Sequence, residues 1–172
     1  MQRLKIMQGD ITQCETDAIV NAAKPSLLGG SGVDGAIHRA AGPELLEACR
    51  KLGGCATGEA KATPAFRLPC RYVIHTPGPV WQGGGAQEDA LLASCYRSAL
   101  TAAASLGCKT VAFPSISTGI YAFPLDRAAR IAVGAISAFL DAHDTPETVT
   151  MVCFDSTTLA AYRQALAEKE GA

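Results

Sequence analysis

Residues 19–42 read IVNAAKPSLLGGSGVDGAIHRAAG. A strand-like apolar run ends at Asn21, and Lys24 and Pro25 break it. Four glycines (29, 30, 32 and 35) then fall within seven residues, around a lone Asp34. AIHRAAG follows with helical character. Glycines this close together let backbone approach a ligand without a Cβ in the way, and their N–H groups can converge on an anion. A helix beginning near Val33 would add its positive N-terminal end to such a site.

Two familiar patterns touch this stretch. GSGVDG (30–35) fits the dinucleotide-binding spacing G-x-G-x-x-G. That motif should follow its strand at once and lead, about 20 residues on, to a strand ending in an acidic residue. Here seven residues separate Ala22 from Gly30, and no such strand appears. GGSGV (29–33) approaches a nucleophile elbow, but Val33 stands where the last glycine belongs and no strand runs into Ser31. A Rossmann dehydrogenase and a serine hydrolase are both set aside.

The rest of the chain reads as a layered α/β domain. Strands are expected at 4–8, 18–22, 72–76, 110–115 and 148–154. Helices are expected at 43–53, 88–107, 125–143 and 158–169. Short apolar strands alternating with helical patterns place helices on both faces of a sheet, and ligands then bind beyond the strands' carboxyl ends. The informative loops are GDIT (9–12), the glycine loop, SISTGIYAFP (115–124), and CFDS (153–156). In the third, Ser117 and Thr118 offer hydroxyl and N–H donors and Gly119 permits a tight bend. Two facing donor loops suit a diphosphate. Asp10 reads either as a helix N-cap or as a carboxylate accepting from the exocyclic amine of adenine. Guanine would present an acceptor there and be repelled.

Composition narrows the partners. The 172 residues are 48% hydrophobic and 18% charged, with net charge −1 and pI about 6.3. That is a globular balance, with no basic field to steer the chain to duplex nucleic acid or an anionic membrane. Seven cysteines, an odd number without a C-x-x-C pair, indicate neither a disulfide framework nor a zinc site. With no signal-peptide pattern at the N-terminus, reduced cysteines in the cytoplasm are expected. None of the three histidines, His38, His75 and His143, has metal-ligand spacing with another, so neither metal nor cofactor is expected.

QGDIT (8–12), IVNAA (19–23), the glycine loop through VDGAIHRAAGPELL (33–46), HTPGPVW (75–81), FPSISTGIYAFP (113–124) and VCFD (152–155) together resemble the macrodomain family. The likeness is to its MacroD-type members, which include bacterial O-acetyl-ADP-ribose deacetylases. It spans the chain, which implies one macrodomain over residues 1–172. The implied fold is a three-layer αβα sandwich around a mixed, mostly parallel sheet, holding ADP-ribose in a cleft. The resemblance puts adenine on Asp10 and Ile11 with Phe154 stacked on the base. It puts the diphosphate between Gly32 and Val33 on one side and Ser117, Thr118, Gly119 and Ile120 on the other. Asn21, Asp34 and Tyr121 would surround the distal ribose. There the ester of O-acyl-ADP-ribose, or of mono-ADP-ribosylated protein carboxylates, would be hydrolysed, with Asp34 orienting or deprotonating water. His38, one helical turn beyond Asp34 on the same face, would position that carboxylate.

The chain departs from the family pattern at two places. Ser31 interrupts the four-glycine run, a mild change if its φ is negative. Lys24 stands where the pattern NAAN has its second Asn. An inward Lys24 would support catalysis and attract an anionic ligand. An outward one would leave the role of that Asn empty. The substitution is the feature that favours the alternative, a binding module that recognises ADP-ribose without turnover.

Overall fold

A computed structural model describes residues 2–171. Its six strands are β1 (Leu4–Gln8), β2 (Ala18–Ala23), β3 (Lys61–Pro64), β4 (Tyr72–Pro77), β5 (Thr110–Phe113) and β6 (Thr148–Cys153). They form one sheet in the order β1-β6-β5-β2-β4-β3. Every neighbouring pair is parallel except β3 with β4. The helices are α1 (Gly32–Ala41), α2 (Pro43–Leu52), α3 (Glu88–Ser105), α4 (Leu125–Ala142) and α5 (Ser156–Gly171).

Successive side chains on a strand point to opposite faces, so each buried strand feeds two cores. Ile19, Val73 and Ala112 pack with Ile37 of α1 and Leu45 of α2. Their neighbours Val20, Ile74 and Val111 pack with Leu92 of α3, Ile136 of α4 and Tyr162 of α5. This is the expected three-layer αβα sandwich. Asn21 and His75 share the period of Ile19 and Val73, so two polar side chains interrupt the apolar face beneath α1 and α2. Both are fully buried, and the β2–β4 register sets them opposite one another.

β3 has no counterpart among the expected strands. Its four residues, KATP, carry a lysine and a proline, a composition suited to a sheet edge where one side needs no ladder partner. Its pairing with β4 makes the sheet mixed and brings Thr63, itself buried, next to His75. The carboxyl ends of β1, β6, β5 and β2 lie side by side, and the four loops singled out above leave from them. No helix among the described residues is long and apolar enough to cross a membrane.

Candidate functional site

A cavity of about 620 Å³ opens beyond those strand ends. Its volume suits a dinucleotide-sized ligand. Asp10 and Ile11 wall one end. Lys24, the start of α1 (Gly32, Val33 and Asp34) and the loop Ser117–Tyr121 wall the middle, and Phe154 borders it after β6. Every residue expected in the site lies on this wall except Asn21 and His38.

Asp10 is the N-cap of a short 3-10 turn, Ile11–Gln13. Its Oδ1 accepts from the Thr12 N–H at 2.9 Å and the Thr12 hydroxyl at 2.6 Å. The capping role and an exposed position on the cavity wall coexist, because both bonds fall on one oxygen. Phe154 is 86% exposed and Ile120 85%. Taken alone, Phe154 at the end of a strand reads as a core residue. Instead its ring stands free beside the cavity.

The N-terminus of α1 faces the cavity, and the first N–H groups of a helix have no intrahelical partner. Ser31 is its N-cap with φ −95°, so serine is accommodated in the glycine run without strain. Gly35 has a different reason to be glycine: a Cβ there would lie 2.5 Å from the Gly30 carbonyl oxygen.

In the facing loop Gly119 lies in a bend, and the Ala122 N–H donates to its carbonyl at 2.9 Å. The left-handed residues of this loop are Ser117 (φ 67°) and Ala122 (φ 60°), and Gly119 has open space where a Cβ would point, so its missing side chain also leaves room in the cavity. Ser117 is buried with an unpartnered hydroxyl pressed toward Gly78, where a Cβ would come within 2.2 Å of Ser117 Oγ. Thr118 Oγ1 is engaged with Ser115 Oγ at 2.7 Å. The loop therefore offers backbone N–H groups more than hydroxyls. Beneath it, the Ile116 N–H donates to Tyr96 Oη at 3.1 Å, and Tyr162 Oη contacts Ser115 Oγ at 2.8 Å. Burial pushes both phenols up, Tyr162 to about 12, so they anchor the loop as neutral hydroxyls.

Asp34, 4% exposed, is the only carboxylate buried in this wall among the described residues. Asn21 Nδ2 donates to its Oδ1 at 2.9 Å, and His38 Nε2 lies 3.5 Å from the same oxygen. Oδ2 has no protein partner. One oxygen is thus fixed, and the other is buried beside Gly30 without a partner. Asn21 and His38 sit behind the carboxylate rather than on the cavity surface. Asn21 Nδ2 also reaches His75 Nδ1 at 3.1 Å, and His75 Nε2 lies 3.0 Å from Thr63 Oγ1. Burial first, and His38 second, hold His75 down to about 3, a neutral imidazole.

Lys24 is exposed but leans over the glycine loop. A Cβ on Gly30 would lie 2.9 Å from Lys24 Cε, 3.4 Å from its Nζ and 3.2 Å from Asp34 Oδ2. The ammonium therefore reaches toward Asp34 without pairing with it. Tyr121 is half-buried at the same end. Sequence reasoning passed over Arg39 and Gly78, which also line the cavity. Arg39 lies inside the AIHRAAG stretch as an ordinary surface cation of a helix. Gly78 shows its importance only through its packing against Ser117. No group of three or more His, Cys, Asp or Glu is placed to hold a metal among the described residues.

The profile of the Macro domain matches residues 20–132. A macro domain-containing protein of Lactiplantibacillus plantarum is 62% identical over 169 residues, covering 97% of this chain and 98% of that one. A protein of Escherichia fergusonii named O-acetyl-ADP-ribose deacetylase is 52% identical over 171 residues, covering 97% of each. The Oceanobacillus iheyensis macrodomain with ADP superposes with a TM-score of 0.94 at 44% identity, covering 98% of this chain and 92% of that one. The Trypanosoma brucei macrodomain in complex with ADP-ribose gives 0.89 at 41% identity, with 95% and 69% coverage. Sequence and overall fold agree, and the chain belongs to the macro domain family.

Proposed function

We propose that this chain binds ADP-ribose in the cleft and hydrolyses its O-acyl esters, both O-acetyl-ADP-ribose and mono-ADP-ribose esterified to acidic protein side chains. The observation carrying the reading is Asp34, a residue of the cavity wall whose Oδ1 is held by Asn21 and whose Oδ2 is buried beside Gly30 with no protein partner. The names of the Escherichia fergusonii and Trypanosoma brucei proteins support the same substrate and ligand.

In this reading adenine rests between Phe154 and Ile11, with its exocyclic amine on Asp10. The N–H groups of Gly32 and Val33 and those of 117–120 hold the diphosphate without needing a cluster of lysines. The distal ribose lies against Asp34 and Tyr121. Oδ2 of Asp34 takes a proton from water as the water oxygen attacks the acyl carbon. The acyl C–O bond then breaks, the ribose oxygen leaves and takes back the proton held by Asp34, and the acyl group departs as its carboxylic acid, which ionises in water. No step is assigned to a metal. Arg39 and Lys24 add positive charge near an anionic ligand.

A second reading, an ADP-ribose-binding module without turnover, is favoured by Lys24, whose ammonium lies near the space in front of Oδ2. Incubation with O-acetyl-ADP-ribose and chromatography of the products separates the two: ADP-ribose and acetate are expected, and unchanged ester alongside tight ADP-ribose binding selects the module. Calorimetry with guanosine diphosphate ribose tests the adenine contact, and affinity equal to that for ADP-ribose rejects it.

A further inference from the structure

Asn21 Nδ2 carries two protons, and it has two neighbours to receive them, Asp34 Oδ1 at 2.9 Å and His75 Nδ1 at 3.1 Å. Only one orientation of the amide satisfies both. Turned over, Asn21 would set its oxygen against the carboxylate. His75 Nδ1 must therefore be a bare acceptor, which leaves the ring proton on Nε2. Thr63 Oγ1, 3.0 Å from Nε2, is placed to accept it, and Cys49 Sγ lies 3.6 Å away. Thr63, His75, Asn21 and Asp34 come from β3, β4, β2 and α1, and all four are buried, so a lost partner is not readily replaced by water.

We propose that His75 is a positioning residue for the reaction: its Nδ1, held bare by the Nε2–H···Thr63 contact, fixes the Asn21 amide so that Asn21 clamps Asp34 Oδ1 and leaves Oδ2 as the one carboxylate oxygen without a protein partner. This rests on the reading of Asp34 as the group that handles water. His75 touches no cavity surface and acts only through Asn21. Its neutral state, far from titration at ordinary pH, keeps the clamp in one orientation.

The test has two arms on the full chain. Nitrogen-15 spectra of the histidine rings read the tautomer directly, and His75 is expected to show bare Nδ1 and protonated Nε2. Kinetics on O-acetyl-ADP-ribose compare His75→Leu, which removes the acceptor, with His75→Asn, whose Oδ1 falls where Nδ1 was. His75→Leu is expected to lower kcat by about 10²-fold, the scale of a slightly misplaced catalytic group, while ADP-ribose affinity stays near the parent's. His75→Asn is expected to recover most of that loss. A protonated Nδ1, a His75→Leu enzyme as fast as the parent, or Leu and Asn variants equally slow would each overturn the proposal. If the Leu variant does not fold, the ring spectrum of the parent decides. A parent that shows the expected tautomer but no turnover would instead count against the hydrolase reading, leaving the amide clamp intact.

Discussion

Asn21, near the end of a buried strand, donates its amide to Asp34 Oδ1 at 2.9 Å, thirteen positions further along the chain. The glycine loop between them folds back so that strand end and helix start meet. Its glycines bring backbone donors to the cleft, and one of them, Gly35, lets the loop close against the helix. Asp34 is thereby placed on the cavity wall with one oxygen fixed and one without a protein partner, beside donors suited to a diphosphate.

Lys24 is expected to attract the ligand and to support hydrolysis. Its ammonium is exposed, so the attraction is modest, up to roughly fivefold in affinity at low salt. Lys24→Ala should weaken ADP-ribose binding and slow hydrolysis, and the parent's affinity should fall more steeply with added salt than the variant's. Calorimetry and turnover at several ionic strengths check this. No change in either quantity would make Lys24 a bystander, and turnover that appears only in Lys24→Asn would select the binding module.

Gly119 and Gly78 should respond differently to added side chains. Gly119 has ordinary φ and open space at its Cβ, so Gly119→Val should fold normally and lose ADP-ribose affinity. At Gly78 a Cβ would fall 2.6 Å from Ile116 Cγ2 and closer still to Ser117 Oγ. Gly78→Ala should therefore cost about 1–3 kcal/mol of stability, the range for overpacking. Urea unfolding and binding measured side by side separate the two effects.

Glu88 makes the fold acid-sensitive. Burial alone would raise its carboxyl, but the N–H groups of Gln82, Gly84 and Ala86 donate to it and hold it down, from an ordinary 4.5 to about 2. A carboxyl depressed in the folded state contributes stability that is complete above about pH 4.5 and drains away as the pH falls toward about 2. Tm across that window should drop more steeply for the parent than for Glu88→Gln, which should be less stable than the parent at neutral pH. Parallel Tm profiles would remove Glu88 from the acid response.

Strands β2, β4 and β6 were legible because both faces are buried, which writes an apolar run into the sequence. The long helices were legible from their apolar period and from turn residues such as Pro124 and Gly107. β3 was not, because a four-residue edge strand with Lys61 and Pro64 carries no apolar period. Asp34 stood out as the one acid among glycines. His75 did not, since its use depends on a cross-strand register with Asn21 and on Thr63 of the unexpected strand. Gly119 was legible as a bend because glycine suits one, whereas nothing in the sequence marked Ser117 as the residue with left-handed backbone, wedged against Gly78.

The role of Asp34 is tested most directly by single-turnover hydrolysis of O-acetyl-ADP-ribose with the parent and Asp34→Ala, alongside calorimetry of ADP-ribose with both. A positioned general base contributes ~10²–10⁴-fold. The account predicts that Asp34→Ala slows acetate release by that factor while retaining much of the ADP-ribose affinity, which rests mainly on backbone donors. Near-parental turnover in Asp34→Ala would contradict it.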